Sequence, residues 1–269
     1  MGPASARYAG CSAVVMNRRL YVGRLFAVEV WIDWSWIVTF VLAACTLLSV
    51  DRRLLPEAPT TTLVGMALAT ALGLLVALAA HELVRVHAVR VWGVPVRRTV
   101  LFVLGGVTNT ERSPASLTGE IVGAVAAPLA SLVGASVIGL SVAITSGPLP
   151  RGLDDLQRLG PPGIVLLQVA AASFLVATVN LLPAYPLDGG RILRAILWKA
   201  TRDVDRATRL AAFAGRITGW VLVFAGILVA LGTQGPVVGA GMWLAFVGWF
   251  VASAAAQGHA SVIAQRRHC

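Results

Sequence analysis

Six stretches of this 269-residue chain run without a charged residue for long enough to approach or complete a bilayer crossing: residues 34–50, 62–80, 121–144, 164–182, about 217–232 and 237–256. A hydrocarbon core of about 30 Å asks for about 20 helical residues. Inside it every backbone N–H and C=O must be paired, which a helix achieves within its own segment. The first and fifth stretches are short and reach full length only by taking in flanking residues such as Trp31 or the segment from Leu210. Composition agrees: 57% of the residues are apolar and 13% charged, against about 45–50% and about 25% in ordinary soluble domains. Disorder, a nucleic-acid-binding domain and a secreted disulfide scaffold are excluded as classes, since none tolerates so much apolar surface with so little charge. The three cysteines, Cys11, Cys45 and Cys269, are scattered and read as free thiols. The expected fold is therefore an all-α polytopic membrane protein.

The net charge of +10 is read as topology rather than as a nucleic-acid footprint, because Lys and Arg gather in cytoplasmic loops. Arg7, Arg18, Arg19 and Arg24 precede the first span; Arg85, Arg90, Arg97, Arg98 and Arg112 follow the second. Arg191, Arg194, Lys199, Arg202, Arg206 and Arg209 follow the fourth, and Arg266 and Arg267 close the chain. The alternate loops are poorer in cations, which places both termini in the cytoplasm of a multi-pass cell-membrane protein. The expected layout is a cytoplasmic segment over residues 1–33, a six-span core over 34–262 and a basic cytoplasmic tail over 263–269. Residues 8–16 are too short an apolar run for a signal peptide and are followed at once by Arg18 and Arg19, which makes Met16 an alternative start.

Polar residues in or beside a span are costly and mark function by default. Two groups stand out: His81 with Glu82 at the end of the second span, and Asn180-Leu-Leu-Pro183-Ala-Tyr-Pro186-Leu-Asp188-Gly-Gly190-Arg191 at the end of the fourth. The derived topology puts both at one depth on the cytoplasmic side. His-Glu begins the metalloprotease pattern His-Glu-x-x-His, in which two His at i and i+4 lie about 40° apart on one helix face and hold zinc while Glu activates the bound water. A carboxylate such as Asp188 suits the third ligand position.

With these two groups, and with Gly93-Val94-Pro95-Val96, Leu101-Phe102-Val103-Leu104-Gly105-Gly106 and an Ala126-Ala127-Pro128-Leu129-Ala130-Ser131 turn inside the third span, the chain resembles the site-2 protease family of intramembrane zinc metalloproteases. The resemblance runs from about Gly23 to Trp198. It implies about six transmembrane helices with a small extended element near residues 102–108, beside the site. It also implies zinc as cofactor, His81 and Asp188 as metal ligands, Glu82 as general base and Asn180 as a stabiliser of the oxyanion or of the substrate strand. Membrane-anchored proteins are the implied substrates and the lipid bilayer the surroundings, with no nucleic acid. Pro183, Pro186, Gly189 and Gly190 also have a plain reading, ending a helix and turning the chain.

One position departs from the pattern. The residue at i+4 from His81 is Arg85, which offers donors and no lone pair and so does not ligate zinc. The next histidine, His87, lies about 240° around a regular helix from His81. Arg85 is expected to pair with Glu82 or Asp188 instead. Two functions remain open on the sequence: an intramembrane zinc metalloprotease weakened or silenced by Arg85, and a catalytically silent relative that binds membrane proteins. A small-solute transporter fits the composition but lacks repeated broken helices.

Overall fold

The computed structural model describes residues 19–25, 28–93, 96–102, 105–110, 117–148, 150–233 and 236–267. The readings made on Arg7, residues 8–16, Cys11, Arg18, Val94, Pro95, Val103, Leu104, Arg112 and Cys269 lie outside these. Strands β1 (Arg19–Leu25) and β2 (Val28–Asp33) open the described chain, followed by helices α1 (Ser35–Leu54) and α2 (Thr60–Val91). Then come β3 (Val96–Phe102), β4 (Gly105–Thr110), α3 (Leu117–Ser146), α4 (Leu153–Arg158), α5 (Gly160–Asn180), α6 (Asp188–Thr201), α7 (Val204–Gly232) and α8 (Pro236–Arg267).

The chain is a helical, multi-pass membrane protein. Helices α2, α3, α5, α7 and part of α8 are long and apolar enough to cross a bilayer. Helix α1 has 20 residues, about 30 Å at 1.5 Å per residue, and its last turn carries Asp51, Arg52 and Arg53. Its side of the bundle is tied down by polar contacts. Gln168 of α5 donates to Asp51 Oδ1 at 2.7 Å and accepts from Thr70 Oγ1 of α2 at 2.8 Å. Asp51 is fully buried.

Two helices are longer than their apolar stretches suggested. Helix α2 continues ten residues past His81, so the His-Glu pair sits within a helix rather than at its end. Residues 126–131 form no turn: α3 runs unbroken through Pro128. A proline removes one backbone donor, a loss that neighbouring helices in a membrane bundle accommodate.

The extended element is also larger than residues 102–108. Four strands form one sheet in the order β1-β2-β3-β4, with β2 and β3 parallel and the outer pairs antiparallel. Val28 and Val30 of β2 are buried on one face, two residues apart, whereas the consecutive Thr99, Val100 and Leu101 of β3, with Val96, are buried on both faces, as befits an inner strand. Val28 and Val96 pack with Val86 of α2, while Val30 and Leu101 pack with Trp36, Leu78 and Val176. The sheet thus lies across the part of α2 that carries His81, Glu82 and Arg85.

Candidate functional site

Leu78, His81, Glu82, Arg85 and Val86 are the buried residues of the second half of α2. Their spacing, i, i+3, i+4, i+7 and i+8, is that of one helix face. His87 is exposed, off that face, as its angular offset requires. The chain's second candidate imidazole is thereby removed from the site.

Asp188 reaches this face from α6 through an unusually tight turn. A Cβ on Gly189 would stand 2.1 Å from the Leu181 carbonyl oxygen, and one on Gly190 2.0 Å from the Tyr185 nitrogen. Both distances are impossible for a side chain, so the two glycines do more than end a helix: they let the α6 N-terminus press against the backbone of residues 181–185. Arg191 Nε donates to the Pro186 carbonyl at 3.2 Å and fastens the same turn. Burial, followed by the like charge of Arg85, pushes the Arg191 guanidinium below the usual arginine range. Asp188 then lies in the first turn of α6, where the helix dipole favours an anion.

The geometry at the centre is compact. His81 Nε2 lies 3.0 Å from Asp188 Oδ2, and His81 Nδ1 lies 2.9 Å from Ser131 Oγ of α3. Arg85 forks onto Glu82: Nε donates to Oε2 at 3.0 Å and Nη2 donates to Oε1. Thr99 of β3 donates to the same Oε1 at 3.1 Å. The Arg85 Nε also stands 4.0 Å from Asp188 Oδ1. His81, Glu82, Arg85, Thr99 and Asp188 are all buried. Beside them a second buried ion pair joins Arg194 of α6 to Glu120 of α3, with Nε to Oε1 at 2.7 Å, and the Arg194 guanidinium lies over the Tyr185 ring at 5.4 Å.

Of the four residues singled out from the sequence, the structure brings His81, Glu82 and Asp188 into one cluster. Asn180 ends α5 with its amide donating to the Val176 carbonyl of its own helix at 2.9 Å. Ser131, Thr99 and the Glu120–Arg194 pair were not singled out. Ser131 carried a signal only as part of the Ala126–Ser131 run, and Thr99 is an ordinary strand residue until the fold sets it over α2.

The donor set does not fit a catalytic zinc ion. Such sites use three protein ligands plus an open position, and a protonated guanidinium offers no lone pair. At this centre His81 and Asp188 bring lone pairs, while the remaining corner is filled by the Arg85 cation, hydrogen-bonded to the Glu82 carboxylate and near Asp188. Among the described residues no cluster of three or more His, Cys, Asp or Glu is arranged to hold a metal.

The sequence profile of peptidase family M50 matches residues 154–225, from α4 into α7. Rip3 of Mycobacterium tuberculosis, whose zinc metalloprotease name is itself provisional, is 32% identical over 254 residues, covering 93% of this chain and 61% of its own. The protein sll0528 of Synechocystis, with a similarly provisional zinc metalloprotease name, is 30% identical over 88% of this chain and 58% of its own. The chain thus spans about three fifths of the length of these relatives. The solved structure of the site-2 protease from Methanocaldococcus jannaschii superposes with a TM-score of 0.60 at 22% identity, covering 90% of this chain and 95% of that one. That likeness is one of fold. In its polytopic bundle with an inset sheet, its paired His-Glu and Asp-Gly-Gly-Arg elements and these relatives, the chain is similar to the peptidase M50, or site-2 protease, family.

Proposed function

We propose that this protein is a member of the site-2 protease family that engages membrane-anchored protein segments without cutting them by the zinc-dependent route. The observation that carries the reading is the fork of Arg85 onto Glu82. A general base must be free to take a proton from bound water, and here the carboxylate accepts from a guanidinium and a hydroxyl at once. The cation also stands where a third ligand is needed. In this reading residues 34–262 form the membrane core, with residues 1–33 and 263–269 cytoplasmic, and the substrate-like segment lies in the lipid bilayer of the cell membrane.

The zinc protease reading is favoured by a different observation. His81 Nε2 and Asp188 Oδ2 stand 3.0 Å apart, close enough to share a metal, and the relatives Rip3 and sll0528 carry zinc metalloprotease names. Under it His81 and Asp188 remain the ligands, Glu82 the base and Asn180 the stabiliser of the oxyanion. Elemental analysis of purified protein, paired with a cleavage assay on a membrane-anchored substrate, separates the two. The silent reading expects far less than one zinc per chain and no cleavage that depends on Glu82. Stoichiometric zinc with cleavage abolished by Glu82→Gln would overturn it. Arg85→His is expected to raise zinc content toward one per chain, and Arg85→Ala to leave it low.

A further inference from the structure

We propose that the β1–β2 hairpin is a membrane foot: Leu20, Tyr21 and Val22 of β1, together with Trp31 and Trp34, sit in the lipid headgroup layer on the side where α1 enters the bilayer. The first observation is a missing alternation. An antiparallel strand with one packed face and one wet face carries its apolar residues on the packed face. Strand β2 keeps to this, with Val28 and Val30 buried and Glu29 between them less so. In β1 the consecutive Leu20, Tyr21 and Val22 are each more than half exposed, at 56%, 52% and 57%. Neighbouring residues of a strand point to opposite faces, so no single covered face hides them. Such a strand suits surroundings that are apolar on both sides of it.

The register places this patch beside the membrane. Leu20 pairs with Ile32 and Tyr21 with Trp31, three and four residues before Ser35, the first residue of α1. At about 3.3 Å per residue the patch lies within about 13 Å of chain from the start of that helix. The charged pair Arg24 and Glu29 stands opposite in the same ladder, toward the hairpin turn and away from α1. The hairpin thus runs from an apolar end next to α1 to a charged end remote from it. On α1 the exposed Trp34, Ile37, Val38 and Val41 follow the i, i+3, i+4, i+7 spacing of one helix face, and the patch on β1 continues that lipid-facing stripe. Its aromatic members have the amphipathic character of residues at a membrane–water boundary. The Tyr21 and Trp31 rings lie 5.2 Å apart, and the Trp31 indole Nε1 donates to Glu29 Oε2 at 3.3 Å.

The competing occupant of an edge strand is another strand, supplied by a second copy of the chain. Here the edge is poorly suited to it. The β1–β2 register shifts between Tyr21 and Gly23, and a bulge of this kind interrupts the ladder and twists the edge away from a partner. Exposed Arg24 follows directly, a charge of the sort that blunts edges. Lipid makes no demand on strand register. The foot also bears on the centre of the molecule, because Val28 of β2 and Val96 of β3 pack with Val86 of α2, in the half of α2 that carries His81 and Glu82. Anchoring the hairpin in the headgroup layer fixes the height of the sheet against this stretch, in a cutting and in a silent protein alike.

The test is the depth of a thiol-reactive bimane on single-cysteine variants of the full chain, in a background lacking Cys11, Cys45 and Cys269, reconstituted in phosphatidylcholine vesicles with phosphatidylglycerol. Val22→Cys reports the foot, with Leu20→Cys as a second reporter should the first fold poorly. Val133→Cys, exposed within α3, is the control for the hydrocarbon, and Glu57→Cys, exposed between α1 and α2, the control for water. Labels on the foot are expected to emit to the blue of the Glu57→Cys label, to be shielded from iodide, and to be quenched most by lipid carrying a nitroxide just below the headgroup. The Val133→Cys label should instead be quenched most by a nitroxide at the bilayer centre. Foot labels that behave like the Glu57→Cys label, open to iodide and indifferent to both lipids, overturn the proposal. Shielding from iodide without quenching by either lipid, accompanied by Val22→Cys crosslinks between chains, also overturns it and assigns the edge to a second copy.

Discussion

Replacing an imidazole by a guanidinium at position 85 changes what the site requires of its surroundings. Two carboxylates, Glu82 and Asp188, are buried within reach of Arg85, and removing one partner of a buried pair leaves an uncompensated charge at a cost of about 3–5 kcal/mol. Arg85→Ala is therefore expected to lower the thermal unfolding midpoint clearly, as read by circular dichroism in detergent. The double substitution Arg85→Leu with Glu82→Gln should recover much of the loss, because it removes both ions. A single-variant loss near zero would mean that water already screens the pair. This residue was legible in the sequence, since the i+4 count from His81 needs only helix geometry. Its partner was not: the spacing allowed Glu82 or Asp188, and the fold brings both to it, Glu82 through the fork and Asp188 at 4.0 Å. Neither contact is visible without the fold.

Among the elements, the turn from α5 into α6 is the most demanding. Its motif was legible as a pattern, yet the plain reading of Gly189 and Gly190 as chain terminators missed their use, because close approach of two backbones leaves no trace in local periodicity. Gly190→Ala is expected to destabilise by about 1–3 kcal/mol or more through overpacking against Tyr185. It should also weaken any contact that needs Asp188 at His81. Gly65→Ala is the matched control: nothing lies within 4 Å of its added carbon, and a helical position gains up to about 1 kcal/mol from Gly to Ala. Denaturation in a fixed detergent compares the two. At the opposite end of the bundle, Gln168→Leu strips the carboxylate of Asp51 of its donor and Thr70 of its acceptor. An unsatisfied buried polar group costs about 1–3 kcal/mol, so the same assay should report a fall for this variant and a smaller one for the exposed neighbour substitution Leu166→Ala.

For the whole molecule, the alternation of arginine-rich and arginine-poor loops predicts an even number of crossings, with the loop after Trp198 and the C-terminus on one side. Reporter fusions at both places should give a cytoplasmic signal; a signal from the far side at either would discard this orientation. Cysteines introduced at positions 81 and 188, in a background lacking Cys11, Cys45 and Cys269, should join through a short bifunctional reagent. The bundle itself was readable because apolar length is a local property. The sheet was largely hidden, since β2 and β3 pair across the whole of α1 and α2 and such a pairing is written in two distant places at once. That separation also sets a timetable for biogenesis. The β1–β2 hairpin leaves the ribosome first and must keep the free edge of β2 unsatisfied until both helices have been made and inserted, for only then does β3 exist. A nascent chain arrested before Val96 therefore carries a sticky, half-finished ribbon at the membrane surface, and the interval until β3 arrives is when this protein is most open to capture by a chaperone or by another unfinished copy of itself.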